Sequence, residues 1–85
     1  MKDDPATPYT PIDCNAYDEL TVRITRGRPV TVRWRETDGG EAACTEVLAG
    51  VFTRGEEEFL RLASGREIRL DRLIEVDGIA ILPAC

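Results

Sequence analysis

The chain has no histidine, so it lacks the side chain that most often serves as general base or metal ligand near neutral pH. Its three cysteines, Cys14, Cys44 and Cys85, are odd in number and scattered, with no Cys-x-x-Cys pair, which argues against a secreted disulfide framework. A zinc site would need a carboxylate or an exogenous fourth ligand. Two small core residues and a free thiol at position 85 are the simpler reading. No apolar run approaches the roughly 18–20 residues that a membrane span requires, and no signal peptide is evident. Gly39-Gly40 lacks the lysine and the spacing of a phosphate-binding loop and reads as a turn. There is no internal repeat and no low-complexity segment. These absences leave a reducing cytoplasm as the expected setting, with no cofactor and no membrane.

With 85 residues, the chain is expected to fold as one small domain, burying only about 60–65% of the surface its unfolded form exposes. Most apolar side chains are then needed to close the core, which leaves little for a large enclosed catalytic cavity. Sixteen acidic residues stand against 11 basic ones, a formal net charge of −5. That balance argues against non-specific nucleic-acid binding, which gains affinity by neutralising phosphates. It suits a basic partner.

Residues 1–8 carry Lys2, Asp3, Asp4, Pro5 and Pro8, a proline-broken polar stretch that reads as a flexible arm. Residues 9–85 read as the domain. The segment around which the rest is organised is residues 9–20. Asp13 suits a helix N-cap, since its carboxylate can accept from free N–H groups of the first turn. Ile12 before it and Tyr17 at the fourth helical position have the spacing of a hydrophobic staple. Together they predict a helix starting at Cys14, with Cys14, Tyr17, Leu20 or Thr21, and Ile24 on its apolar face. Glu19 stands four residues before Arg23 as a supporting ion pair. Asn15, Asp18, Glu19 and Val22 share the opposite, outward face. The helix is expected to run through about Ile24 and to be terminated by Gly27. The β-branched alternation of Thr21-Val22-Arg23-Ile24-Thr25 is also compatible with a strand starting at Thr21.

From Pro29 to Glu36 the sequence alternates strictly, with Val30, Val32 and Trp34 on one face and Thr31, Arg33 and Arg35 on the other, the pattern of a half-buried strand. Thr37-Asp38-Gly39-Gly40 supplies hairpin turn residues, and residues 41–48 return as a second strand. Ala49-Gly50 reads as a bend or bulge before Val51-Phe52-Thr53. After an Arg54-Gly55-Glu56 turn, residues 57–63 form a third strand. Ser64-Gly65 closes a hairpin onto residues 66–70, where Ile68 and Leu70 alternate with Glu67, Arg69 and Asp71. An apolar-rich stretch from Ile74 to Leu82, interrupted by Asp77-Gly78, completes the sheet, and Pro83 stops it. One helix and five short strands in so few residues favour a mainly β fold whose sheet is bent into a partly closed barrel, because closure protects strand edges.

Chemistry is sparse in this pattern. Cys14 at a helix N-terminus offers the one argument for a reactive thiol, but Asp13 is adjacent and no base is available. Without a nucleophile–base pair the chain is expected not to be an enzyme. Glu56-Glu57-Glu58 is either a solvated hairpin end or part of a docking surface if it lies beside the helix. Arg33, Arg35, Arg61 and Arg69, with Trp34 or Phe59 for base stacking, could face RNA. Neighbouring Glu36, Glu67 and Asp71 favour cross-strand charge pairing instead.

The order Tyr9-x-Pro11-Ile12-x-Cys14-x-x-Tyr17-Asp18-x-Leu20, followed by an alternating strand, a glycine-containing hairpin and Ile68-Arg69-Leu70-Asp71-Arg72-Leu73, resembles the Rho-binding antiterminators, the Rof family. The resemblance covers roughly residues 9–74. It implies an N-terminal helix on an Sm-like β-barrel, five-stranded and strongly bent. It also implies binding to the transcription termination factor Rho, obstruction of Rho's primary RNA-binding surface, and so inhibition of termination. Carried over by position, Asp13, Asn15, Tyr17, Asp18 and Glu19 would be the first contacts, and Arg54, Glu56 and Glu57 in the following turn a second. Ala16 departs from the pattern, since relatives can have an acidic residue there, so this helix would lean on Asp18 and Glu19. No direct nucleic-acid binding is implied, and the free domain is expected to be a monomer. The alternative is an Sm-like module that binds RNA itself.

Overall fold

The computed structural model describes residues 9–83; the predicted arm, residues 1–8, and the thiol of Cys85 lie outside them. One helix, α1 (Cys14–Arg26), precedes six strands: β1 (Pro29–Arg35), β2 (Glu41–Arg54), β3 (Glu57–Leu62), β4 (Glu67–Arg69), β5 (Leu73–Val76) and β6 (Ile79–Ala80). A single 3₁₀ turn, Leu70–Arg72, links β4 to β5. The fold is therefore mainly β with an N-terminal helix. All pairings are antiparallel, in the spatial order β4-β3-β2-β1-β5-β6.

The long strand β2 sets the shape. Its first half pairs with β1, from Pro29 opposite Val47 to Arg35 opposite Glu41. Its second half pairs with β3, from Leu48 opposite Leu62 to Arg54 opposite Glu57. Between Leu48 and Gly50 the register shifts, leaving Ala49 as the extra residue of a bulge, at the position where the sequence predicts one. A bulge sharpens the local twist, so one strand can serve two differently oriented parts of the sheet. Six strands are present rather than five because Asp77 and Gly78, both at positive φ (53° and 81°), fold the last apolar stretch back as a hairpin. Two successive left-handed residues suit the twist of paired strands. Among the described residues β4 and β6 are the ends of the ladder order, so the sheet is open in its hydrogen bonding.

The core is built from the inward faces of these strands and one stripe of α1. Val30, Val32 and Trp34 alternate inward from β1 as predicted, joined by Leu48, Phe59, Leu60, Leu62, Ile68, Leu70, Leu73 and Val76. The helix contributes Ala16 and Leu20, with Tyr17 and Ile24 packed on the rim. Cys14, expected on the apolar face, is exposed. The reason is geometric: two residues correspond to roughly 200° around a helix, so Cys14 and Ala16 face opposite ways. The buried stripe runs at i, i+4 through Ala16 and Leu20 toward Ile24.

Gly27, in the left-handed conformation at φ 68°, caps the helix with its N–H on the Arg23 carbonyl at 3.2 Å. The helix thus continues two residues past Ile24, and the rival strand at Thr21 does not form. The N-cap differs from expectation. Asp13 occupies the cap position, but its side chain makes no capping hydrogen bond. Its backbone is engaged instead: the N–H donates to the Leu82 carbonyl at 2.8 Å, and the carbonyl accepts from Tyr17 N–H at 3.0 Å. Ile12 forms an antiparallel bridge with Pro83. The entry to the helix is therefore fastened by the chain's last described residues, and Ile12, buried to 7% exposure, seals that junction.

Candidate functional site

On α1, Asn15, Asp18 and Val22 point to solvent, and Glu19 is half-buried. This agrees with the outward face read from the sequence, but the carboxylates on it differ in availability. Glu19 is held by the Arg23 guanidinium one turn on. Arg23 in turn donates its Nε to Asp77 at 2.9 Å, tying the helix to the β5–β6 turn. Asp18 forms no ion pair among the described residues. Tyr17 is half-buried against the core, which fits the anchoring part of its predicted role better than a contact role. Ala16 is 4% exposed, so an acidic side chain at this position would have to be buried or to reorient the helix.

The Arg54–Glu57 turn is a separate neighbourhood. Glu56 is exposed, whereas Glu57 approaches Arg69 at 3.6 Å and Arg54 donates to Glu67 at 2.8 Å. The connection between this turn and the N-terminal segment is made by residues 9 and 10 rather than by α1. The Tyr9 hydroxyl donates to Glu58 at 3.1 Å, and the Thr10 N–H donates to Asp71 at 2.9 Å. Burial, the hydrogen bond to Glu58 and the nearby carboxylates push the Tyr9 phenol far above its ordinary pKa of 10.0. It stays a neutral donor. The Glu56-Glu57-Glu58 run thus lies beside the segment that leads into α1.

At the centre of this neighbourhood is Arg69, which sequence alternation places outward and the structure buries to 3% exposure. Its Nε and Nη2 donate to the two Asp71 oxygens at 2.6 and 2.8 Å, and its guanidinium lies 5.7 Å from the Tyr9 ring centroid. Burial of Arg69 follows from the brevity of β4: Ile68, Arg69 and Leu70 are consecutive buried residues where the strand gives way to the 3₁₀ turn. The run Ile68-Arg69-Leu70-Asp71 is the only sequence signal for this cluster, and a period of two misreads it.

The other arginines divide by environment. Arg33 bridges Glu75 and Glu41, each at 2.9 Å, and Arg61 reaches Glu67 opposite it at 2.8 Å; both match the expected cross-strand pairing. Arg54 and Arg61 also flank the Phe52 ring at 5.1 and 4.6 Å, and Phe52 stacks on buried Phe59 with centroids 5.3 Å apart. A second arginine group, unforeseen from the sequence, surrounds a cleft of about 180 Å³ lined by Trp34, Arg35, Glu36, Arg66, Arg69 and Arg72 among others. No group of three or more histidine, cysteine or carboxylate side chains suited to a metal ion occurs among the described residues. No helix among them is long and apolar enough to cross a membrane.

Fold and surface together define a small antiparallel β-domain carrying an N-terminal helix with an acidic outer face. Comparisons with protein-family models, with curated proteins and with solved structures find no match for this chain.

Proposed function

We propose that the domain is a non-enzymatic inhibitor of the termination factor Rho, docking its acidic helix on Rho's basic RNA-binding surface and so preventing RNA entry. The observation that carries this reading is the division of residues 9–20. Ile12, Ala16 and Leu20 are buried while Asn15 and Asp18 are exposed, on a chain with a net charge of −5. Carboxylates on a rigid helix can occupy positions where phosphates would sit, and complementary charge raises both encounter rate and specificity. The architecture is compatible with the Sm-like barrel that the resemblance implies, since a long bulged β2 is shared by two parts of the sheet and a 3₁₀ turn precedes β5. Asp18 and Asn15 are the leading contacts, and Glu56 is the most available carboxylate of the second patch.

The test is co-purification with Rho. Asp18→Lys should abolish capture while leaving the circular-dichroism spectrum intact, and Glu19→Lys should weaken it less cleanly because it also breaks the pair with Arg23. Capture of Asp18→Lys at the wild-type level would remove the helix from the interface. Raising salt should weaken the complex, as charge-dominated association requires.

A second reading, direct RNA binding, is favoured by one feature: half-buried Phe52 between the Arg54 and Arg61 guanidiniums, a pairing of planar and cationic groups on which bases can stack. Filter binding of the isolated domain to mixed-sequence RNA separates the two. Retention at micromolar protein favours the RNA module, and none favours the inhibitor.

A further inference from the structure

The cleft between the end of β1 and β4 gathers positive charge on an otherwise acidic protein. Four of the 11 basic residues line it, Arg35, Arg66, Arg69 and Arg72. Its two carboxylates are already engaged. Glu67 accepts from Arg54 and Arg61, each at 2.8 Å, and Glu36 accepts the indole N–H of Trp34 at 3.2 Å.

Two of the four arginines are fixed by the fold. Arg69 is held by Asp71, and Arg72 donates to the Glu36 carbonyl at 3.3 Å. Arg35 and Arg66 are different: both are exposed and neither forms an ion pair among the described residues. The Arg66 guanidinium lies over the Trp34 ring, 5.2 Å from its centroid. Arg66 has Glu46 as an acidic neighbour, but that carboxylate accepts from the Ser64 N–H at 2.9 Å.

We propose that this cleft is a binding site for a free nucleoside phosphate, its phosphate taken by Arg35 and Arg66 and its flat base stacked on the outer face of the Arg66 guanidinium. A guanidinium offers paired donors that match phosphate geometry and a planar face that stacks. Asp71 already neutralises Arg69, so the field in this concave, partly desolvated space comes chiefly from Arg35 and Arg66. Size favours a small ligand over a strand. At about 180 Å³ the cleft falls below the roughly 300–1,000 Å³ of drug-sized sites, enough for a phosphate and part of a sugar, with the base resting at the mouth.

Trp34 is the only tryptophan and lines the cleft, so its fluorescence, excited beyond nucleotide absorption, reads occupancy directly. The full chain is titrated without Rho, so the outcome is independent of the inhibitor reading. ADP should give a saturable change below about 1 mM, inorganic phosphate a weaker one at the same site, and adenosine none. Arg35→Ala should weaken ADP tenfold or more with the unfolding midpoint unchanged. Arg26→Ala, on the helix and away from the cleft, should not. Three results overturn the site: no ADP response up to about 10 mM, equal losses for Arg26→Ala and Arg35→Ala, or a response to single-stranded RNA in the absence of one to ADP.

Discussion

Arg69 carries a full charge into the interior, and the cost of removing that charge from water is recovered only because Asp71, Glu57 and the Tyr9 ring meet it there. A carboxylate left behind in such a place lacks its counter-charge, and breaking one side of a buried pair typically costs about 3–5 kcal/mol. Arg69→Met keeps much of the side-chain volume and should therefore destabilise the domain by about 3–5 kcal/mol in urea unfolding, releasing the Tyr9 segment as it does so. A loss below about 1 kcal/mol would mean that the Asp71 carboxylate regains solvent at little cost. The same residue marks a limit of reading from sequence. Alternation places Arg69 outward, and it would be so in a longer strand; β4 stops after three residues, and the turn that follows brings Arg69 inward. Cys14 leaves the buried stripe and Ala16 enters it for a comparable reason. A cysteine ranks as more apolar than an alanine, but the stripe that meets the sheet is set by Leu20 and Ile24, and only Ala16 lies in register with them.

Elements were more legible than single residues because their signals are redundant. The inward alternation of Val30, Val32 and Trp34, the turn glycines and the Ala49 bulge each had a local cause written in a few adjacent residues. What escaped was relational: Asp77-Gly78 was visible as an interruption, but whether it ends a strand or makes a new one depends on Ile81 N–H reaching the Ile74 carbonyl, at 3.0 Å. The division of the two arginine groups is likewise decided by which strand ends converge, and nothing in residues 33–35 announces residues 66–72. The helix stop at Gly27 permits a quantitative check. No atom lies within 4 Å of a Cβ added there, but φ is 68°, so the penalty of an alanine is purely conformational. An L-residue in that conformation costs about 1–2 kcal/mol, partly offset by the reduced entropy of the unfolded chain. Gly27→Ala should lower stability by about 1 kcal/mol in urea, while leaving the rest of α1 intact by circular dichroism.

At the scale of the molecule, the titrating groups define a pH window. Glu67 is held below the ordinary carboxylate value of 4.5, first by its hydrogen bond from Arg54 and then by that from Arg61. Glu46 is held below the same value by its hydrogen bonds with Ser64. Groups depressed on folding stabilise the native state above 4.5, and that contribution fades as pH falls through the folded values, because the unfolded chain then binds more protons. Tyr9 and Cys44 act in the opposite direction, raised above 10.0 and 9.0, in each case mainly by burial. A raised acid stays neutral in the native state, so its contribution is complete below the unfolded value and declines as pH rises beyond it. Stability should therefore be flat from about pH 5 to 9 and fall on both sides. Glu67→Gln supplies the decisive comparison. It removes the charge that wild type loses only in acid, so it should be less stable than wild type near neutrality and lose less on acidification. The two urea midpoints should draw together as the pH falls below 4.5 and through the depressed folded value of Glu67. An offset that stays constant along the whole acid limb would show that the Glu67 pairs with Arg54 and Arg61 contribute through packing rather than charge. Tyr9→Phe should in the same way flatten part of the alkaline limb.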